Sequence, residues 1–516
     1  MSTPKVRVYD DVYGYVKSYG RYQLFLVLII QYTCVNLAGN FGLMSFAGLK
    51  PVYTCLDTNF TFRGDHKTAC LWISNCSRLH SSNVFHSLEN DFNFTCQLDW
   101  VPGLMTTLQM GAWGAGEVVG GHLADYFGRK WITYVGYAGM MLMAVVGALS
   151  PWWQLLMVCL VVMGLCAGAQ APSHFIYANE MVGKKYRIVQ SCAFQWSLAF
   201  QVISLLAYLT SHWRRYLLVT NGICLPVLAL MLLYIESPRW LIQKKQLSSA
   251  AVALNRLAQF NGQQTEFTAE SLAGIEVSPK VRKYTVWHLF SSRKLAAYSL
   301  VQSVTAMATE SIPVVILFNV QDLAGSPFVN ICLYGAIRMW TPLFMILMER
   351  KTIWFGRRTL FLLSQGSVSC CFLSIILIYV TNQWNQLKWL STTLSLLGAA
   401  ITISMSWTVY KQYVTELYPT VMRGVAVGAF TGPAMAGTML APQLVYLKKY
   451  WLPMPYVGAA FISSLSLLLG YFILPETKDA PLPDTMHHVD QKSNFHSAAD
   501  SSSFPLALSK SDDVND

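Results

Sequence analysis

Apolar stretches of about twenty residues alternate with short polar breaks along most of this chain. They cover 24–48, 101–121, 131–149, 153–178, 190–211, 215–235, 295–317, 328–348, 358–380, 390–412, 421–446 and 452–474. A helix needs about 20 residues to cross the ~30 Å hydrocarbon core of a bilayer. Only helices and closed barrels can span lipid, because every backbone polar group must be satisfied internally. The pattern therefore predicts an all-α integral membrane protein with 12 transmembrane helices. Interior prolines such as Pro226, Pro313, Pro342, Pro433 and Pro442 fit, since neighbouring helices can satisfy the freed backbone groups.

Other segments break the pattern. Residues 1–23 are polar, with Lys5, Arg7, Lys17 and Arg21, and hold no apolar core followed by a small-residue cleavage site, so no signal peptide is predicted. Residues 49–100 form a long loop, residues 236–294 link the sixth and seventh helices, and residues 475–516 read as a disordered tail. This divides the chain into bundles over 24–235 and 295–474, each of six helices. With the N-terminus in the cytoplasm, roughly three cationic side chains lie inside for every one outside, so both termini and the linker are expected to be cytoplasmic. The 49–100 loop is then external. It holds sequons at Asn59, Asn75 and Asn93, and four cysteines, Cys55, Cys70, Cys76 and Cys96, which predict two disulfides in one of three pairings. The other eight of the 12 cysteines lie in apolar helices as small buried hydrophobes.

Composition agrees. The chain is 54% hydrophobic and 12% charged, about half the charged share of an ordinary soluble domain. The net charge of +11 does not signal nucleic acid, because the bases sit in loops between apolar runs. There is no phosphate-binding G-x-x-x-x-G-K-[ST], no H-E-x-x-H, no Cys/His metal spacing and no G-x-S-x-G elbow. Neither an enzyme nor a resident cofactor or metal is expected.

The halves share punctuation. Gly128-Arg129-Lys130 follows the second helix and Gly356-Arg357-Arg358 the eighth. Glu180, with Arg187 seven residues on, follows the fourth; Glu416, with Arg423 seven residues on, follows the tenth. Such a repeat is the sequence mark of a two-bundle transporter. The stretch from Gly121 to Lys130 reads as a short charged loop and conformational latch, in which Asp125 and Arg129 stand one helical turn apart. Glu180, Arg187, Glu416 and Arg423 read as further charged latch positions on the same face.

These residues carry a resemblance. Gly121–Lys130 resembles the loop signature of the major facilitator superfamily. Glu236-Ser237-Pro238-Arg239-Trp240-Leu241 and Pro475-Glu476-Thr477-Lys478 look like the motifs that end each half in its sugar and organic-ion branches. Asn179–Arg187, Glu416–Arg423 and the long cysteine-bearing first loop are similar to the organic cation, anion and carnitine transporters. The resemblance implies two six-helix bundles around a cavity that opens to one side at a time. The chain departs from the family pattern at Tyr126, where a base is usual, and at Ile353, where an acid is. It also departs at Met435, Arg338 and around Val314, positions linked to substrate choice.

Charge inside a membrane helix is costly and normally faces a protein or water-filled interior. Glu310 and Arg338 lie deep in the seventh and eighth helices; Glu117 and Lys411 lie nearer the inner ends of the second and tenth. All four are candidate substrate-binding groups. Trp407 and Tyr413 are candidate aromatic faces for an amine, and Gln195, Gln201, Asn36 and Asn40 are uncharged candidates. The expected partners are a small organic ion, the lipid bilayer and a coupled proton or sodium. The expected function is transport of an organic cation or a zwitterion such as carnitine at the plasma membrane. An organic anion transporter, a sugar porter and a non-transporting receptor are the alternatives.

Overall fold

The computed structural model describes residues 12–56, 60–63, 76, 79–82, 84–94, 96–183, 186, 196–275, 285–351, 356–419 and 422–477, with backbone alone at 60–63, 79, 81–82 and 341–351. Among the described residues, twelve helices of 15 to 30 residues follow the apolar runs. The first half contains α1 Arg21–Phe41, α2 Val101–Phe127, α3 Arg129–Ala148, α4 Trp153–Glu180, α5 Trp196–Thr210 and α6 Trp213–Met231. The second half contains α7 Arg293–Phe318, α8 Pro327–Lys351, α9 Arg357–Val380, α10 Lys388–Leu417, α11 Arg423–Tyr446 and α12 Met454–Ile473. A short helix, Leu43–Ala47, extends α1, and a π turn at Thr402–Ser406 interrupts α10. The ends of the bundles that carry the 236–294 segment are called the linker face, and the opposite ends the loop face.

Three sequence expectations change. The predicted 101–121 segment runs on to Phe127, so Gly121–Lys130 is not a loop. It is two helix ends meeting at the single residue Gly128. The long loop holds a small antiparallel sheet, with β1 Val52–Cys55 between β2 Phe60–Arg63 and β3 Leu79–Ser82. The linker and N-terminus also fold. Helix Leu247–Phe260 buries Ala250, Leu254 and Leu257, and helix Val12–Val16 packs against it. Asn261 ties this layer to α1: its side chain accepts from the Tyr22 backbone N–H at 3.0 Å and donates to Val16 O at 3.1 Å.

The loop is pinned by a Cys55–Cys76 disulfide with Cα atoms 6.0 Å apart, and Cys96 is also disulfide-bonded. Cys70, Asn59 and Asn75 lie outside the described residues. Asn93 is exposed, at the left-handed C-terminal cap of helix Leu88–Phe92.

Small residues bring α2 and α4 together. A Cβ on Gly116 would collide with Leu165 O, and one on Gly168 with Trp113 O, the backbone-to-backbone approach that membrane helices use for packing. The halves meet along α2 with α11 and along α5 with α8. Gly111 and Gly114 of α2 face Met439 and Met435 of α11, and Gly335 of α8 faces Ser197 and Phe200 of α5. Nearer the loop face, Gln443 donates to Thr107 at 2.8 Å, Lys449 lies 3.7 Å from Asp99, and the Lys50 backbone N–H donates to Gln321 at 3.1 Å. These cross-half contacts lie at the loop face and in the middle of the bundles.

Candidate functional site

Two sites emerge, one between the halves and one repeated at the linker face. In the first, α7 carries Glu310, α8 Arg338, α10 Trp407 and Lys411, and α2 of the other half Glu117. Trp407 donates to the Glu310 carboxylate, on which Lys411 and Arg338 both act electrostatically. Lys411 Nζ lies 5.3 Å from the Trp407 ring centre and 5.2 Å from that of Tyr410. Glu117 accepts from Trp113 Nε1 at 3.0 Å and feels both Glu310 and Lys411. Arg338 bonds Tyr334 and stands 5.9 Å over Phe200 of the first half. Two acids and two bases thus share one interior, walled by aromatic rings from both halves. Such a site can pair with either end of a zwitterion, because each ligand charge meets a counter-charge already desolvated.

The sequence candidates divide here. Glu310, Arg338, Lys411, Glu117 and Trp407 come together, with the Lys411 ammonium lying over the Trp407 ring expected to face a ligand amine. Tyr413 does not join them. It is fully buried, its ring lies edge-on to Phe361 at 6.0 Å, and its hydroxyl donates to Pro475 O at 3.0 Å. Asn36 and Asn40 bond each other and Asn221, holding α1 to α6. Gln201 lies at the α5–α8 contact. Gln195 and Arg187 lie outside the described residues. Tyr410, Tyr334, Trp113 and Phe200 were not anticipated.

The second site is a clamp built twice. In the first half, Glu236 Oε1 accepts from the backbone N–H groups of Arg129 at 3.0 Å, Lys130 at 3.2 Å and Ser237 at 2.9 Å. Ser237 donates to Glu180 Oε2 at 2.5 Å, and Glu180 sits 3.4 Å from Arg129 Nε. In the second half, Glu476 accepts from the backbone N–H groups of Arg357 at 2.7 Å, Arg358 at 3.1 Å and Thr477 at 3.0 Å. Thr477 donates to Glu416 Oε2 at 2.5 Å, and Glu416 sits 3.3 Å from Arg357 Nε. In each copy a carboxylate occupies the N-terminus of a helix, where the free N–H groups and the helix dipole favour negative charge. Glycine is required beside it: a Cβ on Gly128 or Gly356 would collide with the Glu236 or Glu476 carboxylate.

Of the expected latch positions, Glu180 binds Arg129 and Glu416 binds Arg357; Nε and Nη2 of Arg423 are buried without a hydrogen bond. Asp125 adds a 2.9 Å ion pair to Arg129, found in the first copy alone among the described residues.

A cavity of about 340 Å³ opens near the loop face, lined from both halves by Lys50, Glu89, Asp99, Asp322, Lys448 and Lys449 among others. Burial pushes the Lys50 ammonium down and the Glu89 carboxyl up from their ordinary pKa values.

Residues 76–486 match the family described as sugar (and other) transporter. The organic cation/carnitine transporter 2 of Rattus norvegicus is 26% identical over 417 residues, covering 79% of this chain and 72% of that protein. Solute carrier family 22 member 4 of Mus musculus is 27% identical, over 81% of this chain and 74% of the relative. An uncharacterized Caenorhabditis elegans protein, F23F12.3, is 26% identical over 85% and 89%. Among solved structures, the inward open xylose transporter XylE from E. coli superposes with a TM-score of 0.60 at 14% identity, covering 91% of this chain and 99% of that one. With the twelve helices and the repeated clamp, these matches place the chain in the sugar (and other) transporter family of the major facilitator superfamily: it is a multi-pass membrane transporter, not an enzyme.

Proposed function

We propose that this transporter carries a small organic cation or a zwitterion with a carnitine-like arrangement of charge, by alternating access at the plasma membrane. The observation that carries the reading is the gathering of Glu117, Glu310, Arg338 and Lys411 in the cleft between the halves, where Lys411 acts on both acids and Arg338 on Glu310. A sugar has no charge for these groups to meet, whereas a zwitterion has two. The names of the organic cation/carnitine relatives point the same way. The bundles over 24–235 and 295–474 are the moving bodies. The linker face lies in the cytoplasm, as the Lys/Arg bias and the sequons of the opposite loop support. Contacts between Asp99 and Lys449 and between Thr107 and Gln443 then belong to a conformation closed toward the outside.

Uptake of labelled carnitine, a quaternary amine and an organic anion into cells expressing the chain tests this. Carnitine or amine uptake is expected, with a loss of roughly tenfold or more in Glu310→Gln, the equivalent of ~1.4 kcal/mol. Absence of uptake of all three overturns the reading. Hexose competition identifies a sugar porter, and binding without flux in reconstituted vesicles a receptor. Arg338 and Lys411 favour an organic anion as the second reading, in which the anion alone is taken up. Uptake at two pH values, with and without sodium, identifies the coupled ion.

A further inference from the structure

Far from the central charges, on the loop face, two histidines and a carboxylate from different segments converge. His86 lies in the long loop, and His212 in the turn between α5 and α6. The backbone fixes them side by side: His86 N–H donates to Ser211 O at 2.9 Å and Trp213 N–H to His86 O at 3.1 Å. Their rings stack with centres 4.4 Å apart and planes 19° from parallel. Asp91, at the end of the next short helix, completes the group, with Oδ1 2.6 Å from His86 Nε2. One donor atom from each of the three residues lies within 4.8 Å of the others.

We propose that His86, Asp91 and His212 bind a divalent transition-metal ion of the zinc class. The chemistry of the donors selects it. Two imidazoles and one carboxylate form a common three-ligand zinc set, with water free to take the fourth position. Asp91 is held from behind, since Trp213 Nε1 and Arg214 Nε both donate to Oδ2 at 2.9 Å. That leaves Oδ1 turned toward the histidines, the outer-shell support a ligating carboxylate normally has. Arg214 also bonds the carbonyls of Ala148 and Ser150 at 2.8 Å, which draws its charge to the far side of Asp91. A single carboxylate already shared with an arginine is a poor site for calcium or magnesium, which want several oxygen ligands. Imidazole nitrogen suits zinc.

Entry of the ion requires small movements. Tetrahedral ligands about 2.0–2.1 Å from zinc stand about 3.3 Å apart, so the His86–Asp91 contact opens slightly. His212 Nδ1 now accepts from the Arg214 backbone N–H at 3.2 Å. His212 gives that cap up, because Nδ1 either becomes the ligand or takes the proton leaving Nε2. One backbone cap is far weaker than coordination by three ligands. The bound ion would clip the external loop to the α5–α6 turn, and this does not depend on what the transporter carries.

Calorimetric titration of chelator-treated full-length protein with zinc tests the site. Saturable one-site binding is expected, weakened at least about tenfold in His86→Gln and in His212→Gln, since losing even an outer-shell partner costs that much. It should be unchanged in His80→Gln, an exposed histidine of the same loop, and unaffected by calcium or magnesium. The wild-type measurement stands by itself: no saturable zinc binding overturns the proposal, as does wild-type affinity in both glutamine variants.

Discussion

In the first half Arg129 holds two carboxylates, Glu180 at 3.4 Å and Asp125 at 2.9 Å; in the second half Arg357 holds Glu416 at 3.3 Å, and Ile353 stands in the sequence where the second acid would be. Everything else in the two clamps corresponds: the glycine, the helix N-terminus, the carboxylate seated on it and the hydroxyl beside it. The shared part ties together the ends of α2, α3, α4 and the linker in one half, and of α9, α10 and the chain after α12 in the other. It therefore holds each bundle rigid. Asp125 is the surplus. Its side chain is 71% exposed, whereas Arg129 is 8% and Glu180 13% exposed. The first half thus adds one weakly held, accessible charge to a frame that both halves share, and it buries that frame more deeply.

The largest effect that tests this division is Arg129→Ala. It strands Glu180 in a buried position, and breaking one side of a buried pair costs about 3–5 kcal/mol. Arg357→Ala should cost less, since Arg357 and Glu416 are 18% and 20% exposed. Thermal unfolding midpoints of the purified variants measure the difference. Glu180→Gln added to Arg129→Ala should recover part of the loss, because it removes the stranded charge. Equal midpoints for the two arginine variants would end the claim that the first clamp is the tighter.

Next come the glycines. Gly128 has φ 104° and ψ 160°, a region essentially closed to other residues, while Gly356 has φ −81° and ψ 171°, open to any. Both would push a Cβ into a carboxylate, but only Gly128→Ala adds backbone strain, so it should cost about 3 kcal/mol against about 1 for Gly356→Ala. Glu236→Gln should follow, at about 1.5–3 kcal/mol for charge-assisted bonds at a half-buried helix end. Glu476→Gln should cost less, because Glu476 is exposed and water screens it.

Much of this was open to sequence reading, in a graded way. Twelve helices follow from apolar length, because lipid allows nothing else. The overrun of α2 to Phe127 was hidden, since Trp240 Nε1 covers the Asp125 carbonyl at 3.0 Å from 115 residues away. Intramembrane charge marked Glu310, Arg338, Lys411 and Glu117, because unpaired charge is too costly to lie there idle. Their meeting depends on helices from both halves, which no spacing reveals. One error was avoidable. At about 100° per residue, Tyr413 lies some 120° around α10 from Trp407, while Tyr410 lies about 60° away and Lys411 about 40°. The helical period favours Tyr410 and places Tyr413 inside the bundle. The latch positions were marked by their repeat in the two halves, but the partner of Glu416, Arg357, is 59 residues away, which no local spacing reveals.

Asp125→Asn should have the smallest effect on stability and is the most informative. An exposed i,i+4 ion pair contributes about 0.3–0.5 kcal/mol, so the melting midpoint should hardly move. If Asp125 only marks topology, nothing else changes. If it exchanges Arg129 for a partner on the other half as the cleft closes toward the linker face, asparagine weakens that second pairing and leaves the bundles intact. The variant should then favour the conformation described here, with the loop face closed. Labelling rates of single cysteines placed at Thr107 and Gln443 read the balance, because these half-buried positions bond each other across the halves here and gain exposure when the loop face opens. Slower labelling with an unchanged midpoint separates a moving latch from a fixed clamp. Unchanged labelling and unchanged transport would reduce the difference between the two halves to a charge that does nothing but orient the chain.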